Sequence, residues 1–421
     1  MKNIRSLLHI PLPIRVSGFL IIGLTLGLSF PKNEVVKVLY LSGTYFPKTV
    51  VTLAAFLIFN LLTAAMAKLM LCHKEKAHKL FGLILAMYVF MGFIALVYGV
   101  GCLAVLSDLP WTLPGVEMPG VVAWAAQIGH TFTNVLSQQP LLQALVGAMF
   151  VGWITARVRA FHKIAHGFIA IGDYILWLFK KLLWYYPVMI GCLAIGIPLK
   201  FGTKGIYLYG QAVLWDMIII CIWSLAMFLL CKFLTKRTWK QLTSYFGSVW
   251  PTGFGTGGSY DTLAVNIISA EQDLGLNQDI AEVSIVFGTV LNKSCSTISI
   301  LIVAIVVCKL LNIPLSMMEL IVMIPPVMIL GLESPGIPGG AGFFMSPIVA
   351  VLLKAPDLSI FVTTFVACYS GLIPMFSTAG NTTSDGVVGA FLQDCFGSHF
   401  MKAEALVVSE VPELKEDTEN A

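Results

Sequence analysis

A chain of 421 residues that is 57% hydrophobic and 11% charged lies far from soluble composition, where about a quarter of residues are charged. Its mean hydropathy of +0.87 excludes a string of soluble domains and predicts an all-α polytopic membrane protein. The formal net charge of +4 is mild. Its basic residues are dispersed among loops without interleaved aromatics, which excludes a nucleic-acid partner.

In chain order, the first apolar run begins near Val16 and lacks an A-x-A cleavage pattern, so it reads as a retained helix. A span needs about 20 apolar residues. Six segments meet this: 15–31, 44–72, 80–107, 138–160, 176–199 and 207–235. Between the third and fourth, residues 108–137 hold Asp108, Pro110, Pro114, Glu117 and Pro119 and read as a long external loop. Lys2, Arg5, Arg15, Lys68, Lys74, Lys76, Lys79, Arg157, Arg159, Lys163, Lys180, Lys181, Lys232, Lys236, Arg237 and Lys240 fall on one side of this layout. Only Lys32, Lys37, Lys48, Lys200 and Lys204 fall on the other. The positive-inside rule therefore puts the N-terminus in the cytoplasm and returns the chain there at Lys240.

Beyond Lys240 the pattern changes. Segment 241–272 is too polar to span and carries a glycine-rich tip, Pro251 to Ser259, which predicts a re-entrant hairpin. A broken helix follows over 281–311, with Lys293 inside it. Segment 315–354 is interrupted by Glu333 to Gly342, a second hairpin tip, and segment 358–398 is broken by Pro374 to Asp385. Hairpin, broken helix, hairpin, broken helix is an inverted repeat, and paired interrupted segments point to a carrier's binding site. The acidic tail after Lys402, with Glu410, Glu413, Glu416, Asp417 and Glu419, reads as cytoplasmic and disordered.

Two clusters bear chemistry. Lys293 is far from both ends of its span, where an ionisable group is expensive and faces a cavity or a partner. The plainer alternative, snorkelling to an interface, is disfavoured by that depth. Asp385 is its candidate partner if the broken helices cross, because pairing lowers the cost of burying either charge. Asn381 and Asp385 lie one helical turn apart on one face. They suit a desolvated Na⁺ or H⁺, against the alternative of an interhelical hydrogen-bond patch. At the two tips, Gly258 and Ser259, then Gly339, Gly340 and Ala341, the backbone N–H groups at half-helix ends suit a carboxylate. Asp261 is either a solvated turn residue or a ligand for an amine. Glu333 reads as an exposed cap beside a lid. The histidines His73, His78, His162 and His166 lie in basic loops without a metal-ligand pattern, and the nine cysteines show no CxxC spacing. No phosphate-binding GxxxxGK[ST] and no catalytic constellation occur, so neither ATP drive nor an enzyme is expected.

This layout resembles the dicarboxylate/amino acid:cation symporter family, the glutamate-transporter homologues. Gly288 to Ser296 is similar to the family's G-A-T-x-N-M-D-G-T, with Asn292 at its asparagine. Gly336 to Gly342 resembles G-V-P-G-x-G, Asn381 to Asp385 resembles N-x-x-G-D, and Thr262-Leu263 resembles part of S-S-S-x-T-L-P. The resemblance implies eight transmembrane helices plus two hairpins, an elevator-type secondary carrier, and a homotrimer. It implies a scaffold with part of the moving domain over 1–235 and a transport core over 236–400. Residues 401–421 remain as the cytoplasmic tail. Asn292, Asn381 and Asp385, with Gly288, Lys293 and Ser294, would form the cation site. Thr378 and Asn381 would face solute, as would Ser377. The partners implied are a small-molecule solute and membrane lipid, in a plasma or inner membrane, with Na⁺ or H⁺ as coupling ion and no cofactor.

The departures are specific. Lys293 replaces the family's methionine and Ser294 its cation-binding aspartate. Ser377 stands where an arginine reads an acidic side chain, and Pro374 where an aspartate holds the solute amine. Without arginine the charge-assisted bidentate clamp is lost. A tethered cation follows as an expectation: the Lys293 ammonium occupies the place of Na⁺ and neutralises Asp385. Coupling is then lost or passes to protons, since buried lysines titrate readily. The competing expectation is an uncoupled exchanger or anion-leak channel on the same fold.

Overall fold

The computed structural model describes residues 12–45, 77–115, 140–182, 185–331 and 338–408, with scattered positions between 56 and 71 and between 123 and 130, and residues 334 and 336. Most of segment 44–72, most of the 108–137 loop, Lys2, Arg5, Lys68, Lys74, Lys76, Glu333 and the tail from 409 lie outside the described residues.

Among the described residues, every regular element is helical. The first half comprises α1 (Leu12–Ser29), α2 (Ala77–Leu106), α3 (Pro140–Arg157), α4 (His162–Leu182) and α5 (Tyr186–Leu234). The second comprises α6 (Trp239–Thr256), α7 (Ser259–Gln272), α8 (Gln278–Leu291), α9 (Ser294–Leu311), α10 (Met317–Gly331), α11 (Gly340–Leu352), α12 (Leu358–Tyr369) and α13 (Ile373–Val408). Three described helices, 82–106, 186–234 and 280–311, are long and apolar enough to cross a membrane, and α12 with α13 forms a bent fourth candidate.

Among the described residues, the first half is helical at 34–45, ahead of segment 44–72, and at positions 123, 126, 129 and 130 of the expected 108–137 loop. It departs from the expected segments again at the end of α4. Residues 176–182 finish α4 instead of opening a span. The periodicity explains this: α4 alternates Lys163, His166 and Asp173 with exposed Ile164, Ile171, Tyr174 and Trp177. That pattern belongs to a helix lying along an interface. The span begins at Tyr186 with Pro187 in the first turn, where its missing N–H costs nothing. Gly202, at φ 58° and ψ −147°, then divides α5 into two helices.

The second half follows the expected rhythm. Thr238 and Gln241 form a reciprocal capping box at the start of α6, satisfying two of the orphan N–H groups there. Gly257, at φ 62°, caps its end in the left-handed conformation a side chain disfavours. The chain doubles back at once into α7. Helices α8 and α9 are separated only by Asn292 and Lys293. Helices α12 and α13 meet at 66° across Ser370–Leu372, with Gly371 at φ 92°.

That last break corrects an expectation. Residues 374–385 were expected to interrupt the segment, yet Asn381 to Asp385 sit within continuous α13. Pro374 is the second residue of α13, where proline is tolerated, so it marks a helix start instead of a break. Helix α9 runs through the core of the second half: Ile298 and every residue from Ile300 to Val307 are fully buried. Helix α9 is therefore wrapped on all sides, as a helix apolar all round should be.

Candidate functional site

The break between α8 and α9 creates the site. Ending α8 at Leu291 leaves its last carbonyls without intrahelical donors, and starting α9 at Ser294 leaves its first N–H groups without acceptors. Asn381 of α13 meets the second need, and Lys293 meets part of the first. Asn292 Nδ2 donates to Asn381 O and to Asp385 Oδ1, each at 2.7 Å. Asn381 Oδ1 accepts from the Cys295 N–H at 2.8 Å, and Asn381 Nδ2 donates to Ser296 Oγ at 2.9 Å. Ser294 Oγ donates to Asn292 Oδ1 at 2.8 Å. Thus Asn292, Ser294, Asn381 and Asp385 form one buried network linking the two broken helices.

Lys293 behaves differently from the expected ion pair. It is buried, and Nζ donates to the Thr289 carbonyl at 2.8 Å. The ion pairs among the described residues, Lys37–Glu34 and Arg237–Asp394, do not include it. The helices do cross, but the group that reaches Asp385 is Asn292. The ammonium instead caps the C-terminal end of α8, where the helix dipole favours a cation.

Gly288 faces Asp385 across the crossing. A Cβ built there would fall on the Asp385 carboxyl and the Tyr88 hydroxyl. Gly288→Ala should therefore push Asp385 off Asn292 and destabilise the core by about 1–3 kcal/mol. A lowered melting temperature of purified protein is the expected result; unchanged stability would show that the crossing tolerates a methyl group.

The two tips meet above this network. The Tyr260 N–H donates to Gly336 O at 3.3 Å. Beneath them is a cavity of about 20 Å³, room for little more than one water. Its walls include Ser259 from the first tip, Gly339, Gly340 and Ala341 from the second, Ser377, Thr378 and Asn381 from α13, and Lys293. Ser259, Gly340 and Ala341 belong to the first turns of α7 and α11, so two helix N-termini face the space. Gly258 sits between the tips, against Gly336 O and Pro338. Asp261 is exposed and does not line the cavity. Gly288, Asn292, Ser294 and Asp385 do not line it. A second cavity of about 150 Å³ opens on the other side of Lys293, against Tyr88 and Gly92 of α2 and Met328 of α10.

Some supporting residues carry no motif. Tyr245 donates to Asn266 Oδ1 at 2.6 Å, and Asn266 Nδ2 donates to Thr382 O at 2.9 Å. Thr378 Oγ1 donates to Gly257 O at 3.0 Å. These bonds hold the first hairpin on α13. A polar residue every few positions inside an otherwise buried stretch is the signal for them.

Comparison with known proteins agrees with this geometry. A 249-residue stretch, 58% of the chain, is 22% identical to an excitatory amino acid transporter of Onchocerca volvulus. The match spans about half of that relative's length, 48%. The family model for the sodium:dicarboxylate symporter family matches residues 12–395. Buried hairpins, broken helices and a match over nearly the whole length lead to one conclusion: the chain belongs to the sodium:dicarboxylate symporter family and is a multi-pass membrane transport protein, not an enzyme.

Proposed function

We propose that this protein is a secondary carrier for a small organic solute bearing a carboxylate, an amino acid or a dicarboxylate, and that its own lysine replaces a coupling Na⁺. The observation that carries this reading is the Lys293 Nζ contact with Thr289 O. In carriers with broken helices, half-helix C-terminal carbonyls coordinate the ion; here an ammonium makes that interaction. Asp385 is the only carboxylate in the network, because Ser294 occupies the position of a second. A Na⁺ ion would find one carboxylate and an adjacent fixed cation.

The solute class rests on the cavity. Two helix N-termini face it, which suits a carboxylate. Ser377, whose hydroxyl donates to Pro374 O at 3.1 Å, offers no cation to a second acidic group, so a neutral or short side chain fits best. The hairpins with α8, α9, α12 and α13, joined by part of the first half, would move as the transport core against a scaffold from the rest of the first half. The assembly would be a homotrimer in a plasma or inner membrane, with both termini cytoplasmic.

Uptake by purified protein in liposomes tests the reading, with L-alanine, L-aspartate and succinate as probes. Saturable uptake or exchange, indifferent to replacing external Na⁺ by choline, is expected. A steep Na⁺ dependence would sink the tethered cation. Linear, non-stereoselective flux would instead support a leak channel.

A further inference from the structure

Charge around the cavity beneath the tips is of one sign. Among the described residues, Lys293 is the only charged one in its wall, and no aspartate or glutamate lines it. We propose that Tyr369 is a specificity-determining residue: it reads a hydroxyl on the carbon beside the solute's carboxylate, in a site that rejects an ammonium group there. This rests on the carrier reading and narrows its solute to a hydroxy acid over the amino acid of the same shape.

The rejection follows from what the wall lacks. The two buried acids of the core are turned elsewhere. Asp385 accepts from Asn292 at 2.7 Å. Asp216, fully buried in α5, accepts from Ser299 Oγ at 2.5 Å through one oxygen, and its other oxygen meets no partner. Neither lines the cavity, and Asp261 is exposed outside it. Pro374 lines it and offers no side-chain acceptor. The first turns of α7 and α11 add the positive ends of two helix dipoles. A carboxylate is stabilised in such surroundings. An ammonium would face Lys293 and two helix N-termini without a counter-charge, and burying an unpaired charge is strongly unfavourable.

What the wall does supply is hydroxyl groups without partners. Ser259, Ser334 and Tyr369 line it and are 5%, 4% and 2% exposed. Among the described residues their hydroxyls close no ordinary hydrogen bond. Ser296 Oγ accepts from Asn381 Nδ2 at 2.9 Å, while its own hydrogen reaches no acceptor. Buried polar groups are normally paired, so a cluster of open ones around one space points to a ligand.

Tyr369 is the best placed of them. It is the last residue of α12, so it stands at the break before α13. Phe365, one turn earlier, stacks on its ring at 6.3 Å between centroids. Gly342 of the second tip closes on the same ring, where an added Cβ would fall 2.5 Å from Tyr369 Cδ1. The ring is thereby held, with its hydroxyl approaching Ser377 and Ser296. Ser377 is turned to the Pro374 carbonyl at 3.1 Å, which leaves Ser296 and Tyr369 as a donor and an acceptor side by side. A hydroxyl both donates and accepts, whereas an ammonium only donates. A solute hydroxyl therefore accepts from Ser296 and donates to Tyr369, and a hydrogen in its place leaves both unpaired.

Two sets of solutes of matched shape test this with the full-length protein in liposomes: L-lactate, L-alanine and propionate, and L-malate, L-aspartate and succinate. Within a set, one carbon carries a hydroxyl, an ammonium or a hydrogen. The hydroxyl member should half-saturate uptake at a concentration about tenfold below the hydrogen member, as expected when buried polar groups lose their partner, with the ammonium member weakest. Tyr369→Phe keeps the ring. It should bring the hydroxyl and hydrogen members within about twofold and leave the ammonium member excluded, a split that lost packing alone does not produce. Pro374→Asp adds an acid to the wall and should admit the ammonium member. Glu333, the acid next to Ser334 in the chain, should be replaceable by glutamine without changing the ranking. Shifts in melting temperature give the same ranking without transport, because a ligand stabilises by mass action. A Tyr369→Phe protein that keeps the hydroxyl preference, a Glu333→Gln protein with a changed ranking, or a wild type that favours the ammonium member overturns the proposal and leaves the carrier reading standing. A wild type that none of the six crosses or stabilises refutes both.

Discussion

Lys293→Met combined with Ser294→Asp should turn a Na⁺-indifferent protein into one that responds to Na⁺. Methionine removes the donor from Thr289 O, which lies 2.8 Å from Nζ, and takes away the fixed positive charge near Asp385. An orphaned buried acceptor costs about 1–3 kcal/mol, so Lys293→Met alone should lower stability in any salt. Ser294 already touches Asn292 Oδ1 at 2.8 Å and Asn381 Oδ1 at 3.5 Å. An aspartate there places a second carboxylate in a wall of amide and carbonyl oxygens. The double variant then offers Na⁺ two carboxylates and a vacant carbonyl, and a bound ion stabilises by mass action. The expected result is a melting temperature that rises with NaCl and not with choline chloride, accompanied by Na⁺-stimulated uptake. A folded double variant blind to Na⁺ in both measurements would mean that Lys293 is a structural cap and nothing more.

Locking the tips together should stop transport altogether. Gly336 lies against the first tip, and a Cβ built on it falls 3.2 Å from Ser259 Cβ, close to the roughly 3.5–4.5 Å separation of a disulfide. The cavity behind the tips holds about 20 Å³, far below the several hundred Å³ of a typical small-molecule site. A solute therefore enters only when the tips part. Ser259→Cys with Gly336→Cys, oxidised with copper phenanthroline, should lose uptake, and dithiothreitol should restore it. The single variants should be insensitive to the oxidant. Full uptake with the crosslink verified by mass spectrometry would show that solute reaches the site by another route.

Much of this was legible in the residues because the physical constraints are strong. A buried lysine inside an apolar run has few permitted roles, and a glycine-rich tip between two apolar stretches has little choice but to turn. The same rule that picks out Lys293 also picks out Asp216, which stands inside the apolar segment 207–235. Its neighbours are large and apolar, so no motif draws attention to it. The break at Ser370–Leu372 was harder to read. Proline and small polar residues at 374–385 have the composition of an interruption, yet proline also opens helices. Which role it takes depends on where the preceding helix ends.

The sequence by itself determined the membrane class, the order of hairpins and broken helices, and the family. All three follow from local properties: hydropathy over a span, glycine at turns, and spacing along one helix. Only the tertiary structure decided which groups touch. It placed Asn292 and not Lys293 on Asp385, sent the ammonium to the Thr289 carbonyl, kept Asp261 off the cavity wall, and left one oxygen of Asp216 unmatched. Those outcomes depend on the angle and register at which α9 crosses α13 and α5. A helix crossing is fixed by packing among residues far apart in the chain, and no local pattern encodes it.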